Sequence, residues 1–167
     1  MAELTTQERL QPSLLDRLTD DNPGSLVESR EERVISASRL RECVTRDLGW
    51  LLNCANLEST EDLSLLPEVR RSVLNFGIPD ITGIEVAQIE ASALQRQVRD
   101  MILAFDPRLK AATLRVVAET NRENMSGHAL SFRIESEMWA QPIPLNLYLK
   151  TEVDLETGKF KISESGS

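Results

Sequence analysis

The stretch ILAFDPRLK, residues 102–110, decides how the chain divides. Leading into it, Leu94, Val98, Met101, Ile102 and Phe105 recur at helical spacing, while Gln95, Arg96, Gln97, Arg99 and Asp100 hold the opposite face. This helix has a start signal near Glu90 or Ser92, and an earlier capping-box pair at Thr82 and Glu85. It must end by Asp106, because the residue before a proline is pushed out of helical geometry. After Pro107 the apolar period falls from helical to two.

Beyond that corner the chain reads as strands. LKAATLRVVAETN is one, RENMSGH is a hairpin loop, and HALSFRIESEM alternates Leu130, Phe132, Ile134 and Met138 against Ser131, Arg133, Glu135 and Glu137. LNLYLKTEVDL alternates again, with Leu145, Leu147, Leu149, Val153 and Leu155 facing one way and Tyr148, Lys150, Glu152 and Asp154 the other. Glu156-Thr157-Gly158 turns the chain into KFKIS, a last short strand. Pro142 and Pro144 remove ladder donors between the second and third strands, so the third is expected to be offset from the second, with room for a different partnership. The hairpin from Leu145 to Ile162 is then expected to present a free edge, guarded by Lys150, Glu152, Asp154, Lys159 and Lys161, with Lys159 and Lys161 at outward-bonding positions. The alternative is that it completes the domain's own sheet and leaves no edge open.

The first half is helical. From Ser36 or Ser38 to Cys54, Leu40, Val44, Leu48, Leu51, Leu52 and Ala55 keep one face apolar, and Arg39, Arg41, Glu42, Arg46 and Asp47 lie mostly on others. Pro67 opens a short element that Gly77 and Pro79 close. Helices come first and an antiparallel sheet follows, so the class is α+β, with the N-terminal helices packed on one face of the C-terminal sheet. Residues 1–35 form a polar tail with twelve charges, and residues 36–163 the domain. Within the tail, Ser13 caps a short amphipathic helix presenting Leu14, Leu15 and Leu18, ended by Asn22-Pro23-Gly24. A helix this short needs a surface for its leucines, on its own domain or on another protein.

Among 167 residues, 27 acids stand against 19 bases, a formal net charge of −8 that disfavours nucleic acid and anionic lipid as partners. No apolar run approaches the roughly 20 residues that span a bilayer, and the first residues lack the features of a signal peptide, so a cytoplasmic location without direct membrane insertion is expected. Cys43 and Cys54 read as small apolar fillers. Fifteen of the nineteen bases are arginine, which suits desolvated contacts with carboxylates and carbonyls, although a genome rich in arginine codons gives the same bias. His128 is the only histidine and has no nucleophile motif around it; glycine-rich phosphate loops, CxxC and HExxH are absent. Glu135 and Glu137 share a strand's solvent face, an ordinary arrangement rather than a catalytic pair. No catalytic, cofactor-binding or metal-binding residues are expected, and no cofactor.

Four blocks, VTRDLGWLLN, LPEVRRSVLNFGIPDITG, ILAFDPRL and FRIESEMWAQPIPLNLYLKTEVDLETG, occur in an order that resembles the TssE family. These are small baseplate subunits of type VI secretion systems, within the family of the phage baseplate wedge protein that carries an old lysozyme-like label. The resemblance covers about residues 11–160. It implies a non-enzymatic structural component that works with TssF and TssG in the wedge, meets TssK through the wedge, and joins it to the first ring of the TssB and TssC sheath at a membrane-docked baseplate. The family's Glu-Pro-Arg signature falls on Asp106, Pro107 and Arg108, with the acid one methylene shorter. The resemblance implies that Asp106 and Arg108 bind wedge partners or brace the corner that does. The short helix is expected to dock Leu14, Leu15 and Leu18 on a wedge partner, and the hairpin edge, with Lys150, Glu152, Lys159 and Lys161, to meet a sheath subunit. A peptidoglycan hydrolase and a regulatory anti-adaptor on the same fold are the alternatives.

Overall fold

A computed structural model describes residues 13–19, 23–24, 36–82, 91–119, 129–138 and 145–164. Among these residues four helices precede four strands: α1 Leu14–Leu18, α2 Ala37–Leu52, α3 Pro67–Arg70, α4 Ala91–Phe105, then β1 Arg115–Glu119, β2 Ala129–Met138, β3 Leu145–Asp154 and β4 Lys159–Glu164. The class is α+β, as the change of period at Pro107 predicts. Ser36 starts α2 by accepting the Arg39 N–H on its side chain, and Asn53 closes it with its backbone N–H on the carbonyls of Gly49 and Trp50. The capping-box reading at Thr82 and Glu85 lies, from residue 83 to residue 90, outside the described residues.

The strands form one antiparallel sheet in the order β1-β2-β3-β4. Leu40, Val44, Leu48 and Leu51 of α2 and Leu94, Val98 and Ile102 of α4 share a core with Val116, Phe132, Ile134, Leu147, Leu149, Val153 and Phe160 of the sheet. Each such apolar side chain contributes about 1.5–3 kcal/mol by leaving water. Between the long helices, Leu57–Ser59 and Val73–Asn75 form single 3-10 turns. The buried Asn75 ties this segment together, accepting from Glu58 N–H and donating to the Arg70 carbonyl.

Four expectations need correction. The third strand is not offset from the second: β2 and β3 pair through ten consecutive positions, from Ala129↔Asp154 to Met138↔Leu145. Pro142 and Pro144 lie at residues 139–144, outside the described residues, and the strands on either side of them keep full register. Lys150 and Glu152 therefore lie on an interior strand paired on both sides, and guard no edge. The first strand is shorter than its apolar pattern, because Thr113 and Leu114 donate their N–H groups to the Lys110 carbonyl and the chain makes a turn between the isolated Leu109↔Met138 bridge and Arg115↔Glu135. Cys43 is buried as expected, but Cys54 is exposed just beyond the end of α2.

The fourth correction concerns direction. Phe160 of β4 turns both backbone groups away from β3, donating to Asn53 Oδ1 and accepting from Asn53 Nδ2, each at 3.0 Å. Hydrogen-bonded and non-bonded pairs alternate along an antiparallel ladder. Phe160, Ile162 and Glu164 thus bond outward, whereas Lys159 and Lys161 bond inward to β3. Side-chain periodicity shows which face a residue occupies, but not which way its peptide groups point.

Gly77 is a glycine that the fold requires. Its φ is +125°, and a Cβ there would collide with the Cys54 carbonyl, which accepts the Ile78 N–H where Ala55 and Ile78 form a parallel bridge. Gly49, inside α2, would place a Cβ 3.9 Å from Ile162 Cδ1, an ordinary contact. In urea denaturation, Gly77→Ala is expected to lower stability by about 2 kcal/mol or more, and Gly49→Ala to raise it by roughly 0.5–1 kcal/mol.

Candidate functional site

Pro107 ends α4 and places Asp106 in the angle between helix and sheet, where only 4% of it is exposed. The backbone N–H of Asp106 still closes the last helical turn on Ile102. Its Oδ1 accepts from Arg108 N–H at 3.0 Å, an Asx turn that suits a short acidic side chain. The same carboxylate takes the Arg108 guanidinium two-pronged, Nε on Oδ1 at 2.9 Å and Nη2 on Oδ2 at 2.8 Å.

The network then crosses to α2 and on to α1. Arg108 Nη2 also donates to Asp47 Oδ2 at 2.8 Å. Asp47 Oδ1 accepts from Arg46 Nε and Nη2 at 2.9 and 2.7 Å, and Arg46 Nη1 reaches Asp16 Oδ1 of α1 at 2.7 Å. The Arg46 guanidinium lies 5.0 Å over the Trp50 ring. Asp106, Arg108, Asp47, Arg46 and Asp16 thus alternate in sign along one continuous path, with one negative charge in excess. Burial works against the charge on Arg108, but hydrogen bonds and attraction from Asp106 and Asp47 outweigh it and raise its pKa. Burial likewise disfavours ionised Asp16, yet hydrogen bonds from Arg46, Ser13 and Cys43 lower its pKa to about 2. Burial, followed by the hydrogen bond to Asp16, raises the pKa of the Cys43 thiol and keeps it a donor.

α1 is held by its acid rather than by its leucines. Asp16 is the inward residue, whereas Leu14 and Leu18 are 71% and 75% exposed and Leu15 is half-exposed. Leu15, Trp50, Phe76, Phe105, Asp106 and Arg108 line a shallow pocket of about 250 Å³. Arg108 Nη1 is buried there without a hydrogen-bond partner among the described residues. A broader hollow of about 810 Å³ lies between α4 and the segment after α2, lined by Asn56, Arg70, Arg71, Gln97 and Met101 among others.

The structure therefore brings Asp106, Pro107 and Arg108 together with the α1 segment carrying Leu14, Leu15 and Leu18. Lys150, Glu152, Lys159 and Lys161 stand apart from that network on the sheet. Lys150 pairs with Glu152 at 3.7 Å, and Lys159 and Lys161 are exposed on the edge strand. Sequence reasoning missed Asp16, Arg46 and Asp47 as members of the site. Arg46 and Asp47 are adjacent in the block VTRDLGWLLN, and that pair was the available signal, but helical periodicity assigns them only to a wet face. Among the described residues, no three His, Cys, Asp or Glu side chains gather as a metal site would need, and no helix is long and apolar enough to cross a membrane.

A family model described as baseplate wedge protein gp25 matches residues 38–143, which include α2, α4, the Asp106–Arg108 corner and the β1–β2 pair. No curated protein and no solved structure matches the chain.

Two outcomes follow from the network. Arg108→Ala leaves the Asp106 carboxylate buried without its cation and is expected to lower stability in urea by about 2–3 kcal/mol, at the low end for a broken buried pair because the guanidinium is partly exposed. Arg108→Lys should recover part of this, since an ammonium keeps the charge but not the fork. Asp16 has a depressed folded pKa, so its contribution is complete above its ordinary value of 3.8 and is lost as the pH falls toward about 2. In a chain with Trp139→Phe, Trp50 emission should therefore show a transition between about pH 4 and 2 that Asp16→Asn removes.

Proposed function

Because the chain belongs to the baseplate wedge protein gp25 family, a family of phage-like baseplate structural components, we propose that it is the small baseplate subunit of a type VI secretion system, joining the wedge to the first ring of the contractile sheath and initiating sheath assembly. The observation that carries this reading is the family match over residues 38–143, together with the position of its corner. In this reading the protein is non-enzymatic, and its work is to present two surfaces in a fixed relation.

The wedge subunits TssF and TssG take the first surface, around α1 and the Asp106–Arg108 corner, with TssK reached through the wedge. Leu14 and Leu18 on α1 face outward, Leu15 lines the pocket beside them, and the buried Arg108 Nη1 has no hydrogen-bond partner among the described residues. The corner carboxylates already exceed its guanidiniums, so a neutral backbone carbonyl suits that donor better than another acid. The sheath subunits TssB and TssC take the second surface, the outer edge of β4, by strand addition. Both contacts place the protein on the cytoplasmic side of a membrane-docked baseplate.

The test is co-purification. Full-length chain should be retained by TssF and TssG, and a Leu14→Ser, Leu18→Ser variant should lose at least tenfold in retention while its denaturation midpoint stays put, because exposed substitutions usually shift stability by no more than about 0.5 kcal/mol. Wild-type chain that does not co-purify with the wedge subunits would overturn the assignment. Clearing of a cell-wall suspension by the purified chain would point instead to the hydrolase alternative.

A further inference from the structure

Asn53 sits one residue past the last turn of α2, and its side chain leaves the helix for the sheet. Nδ2 donates to the Phe160 carbonyl and Oδ1 accepts the Phe160 N–H, both at 3.0 Å. One carboxamide thus fills the outward donor and the outward acceptor of an edge residue, the two bonds that a neighbouring strand would make. Asparagine suits the task because its side chain carries the same acceptor and donor as a peptide group, whereas aspartate lacks the donor. Nδ2 also donates to the Gly49 carbonyl at 2.8 Å, which ties the amide to α2 and fixes its orientation.

Past Phe160 the edge changes character. Ile162 and Glu164 turn their peptide groups the same way, and no residue among those described bonds them on that side. The helix end therefore closes the half of β4 near the hairpin turn and, among the described residues, nothing closes the other half.

We propose that Asn53 is a register stop on the β4 edge: an extended segment of a partner pairs with Ile162 and Glu164 and cannot run on toward Phe160 while the amide is in place. This rests on the reading that β4 receives a sheath strand. The stop also defines the segment it admits. Residues directly opposite one another share a face. The partner residue opposite Ile162 falls on the helix side, beside a half-buried isoleucine, and is apolar. Its neighbour toward Lys161 falls on the solvent face, where an acid is favoured. A one-residue slip would exchange these faces, and the stop prevents the slip from moving toward Phe160.

Hydrogen exchange, read residue by residue in the full-length chain, tests this before and after reconstitution with TssF, TssG, TssB and TssC. In the free wild-type chain the Phe160 amide should be protected, and those of Ile162 and Glu164 should exchange freely. On assembly Ile162 and Glu164 should gain protection. In Asn53→Ala the Phe160 amide should lose its protection in the free chain and regain it on assembly, because the added strand now runs one bonded pair further. Asn53→Gly serves as the second variant, since glycine is well tolerated where a helix ends. If Ile162 and Glu164 become protected but Phe160 stays exposed in both variants, the stop is wrong and the edge reading stands. If no edge amide gains protection in any chain, the edge reading falls and takes the stop with it.

Discussion

The arrangement depends on one buried carboxylate. Asp106 stands where α4 must stop and the chain must turn into the sheet, and Pro107 leaves it no helical alternative. An ionised acid in that position is tolerated only with a close cation and its remaining lone pairs satisfied. Arg108 supplies both, with its own N–H and two prongs of its guanidinium on the same carboxylate. The turn, the end of the helix and the charge pair are therefore one feature. Changing any of the three residues disturbs the other two.

A pair of this kind is a weak source of net stability, because desolvating both ions offsets most of their attraction. Its stronger effect is geometric. Arg108 has a second bond to give, and Asp47 of α2 receives it, which fixes where the corner sits against the helix packed on the same sheet. Asp47 then holds Arg46, and Arg46 holds the short α1 by Asp16. Lysine could not do this in either position, since each guanidinium serves two carboxylates at once through a planar fork. The excess of arginine over lysine, ambiguous as composition, has a structural use at these two sites.

Much of the fold was legible because it follows local periodicity. Leu40, Val44, Leu48 and Leu51 mark α2, and Leu94, Val98 and Ile102 mark α4, because a helix that covers a sheet buries every third or fourth residue. β2 and β3 were legible as alternation for the same reason. What escaped are facts that join distant positions or concern the backbone. Asp47 and Arg108 lie 61 residues apart, and nothing in either neighbourhood names the other. The sequence places the prolines at 142 and 144 between the strands, but that β2 and β3 keep full register across the segment that holds them could not be read there. The inward bonding of Lys159 and Lys161 could not be read from hydropathy, which reports the face a side chain occupies and is silent on the alternation of peptide groups within that strand.

Three of the missed contacts come from α2 and its C-cap. Arg46 and Asp47 tie α2 to the corner and to α1, and Asn53 ties its end to β4. From Arg46 to Asn53 is two turns, about 10 Å of continuous helix at 1.5 Å per residue. The core face of that segment, Leu48, Leu51 and Leu52, is fully buried, so the segment cannot shift relative to the sheet without opening the core. The corner and the β4 edge are therefore held in a fixed relation by one rigid element, and no loop intervenes between the residues that touch them. The proposed role, setting one assembly at a defined position on another, would need that constraint, and it is met within eight consecutive residues, RDLGWLLN, at 46–53.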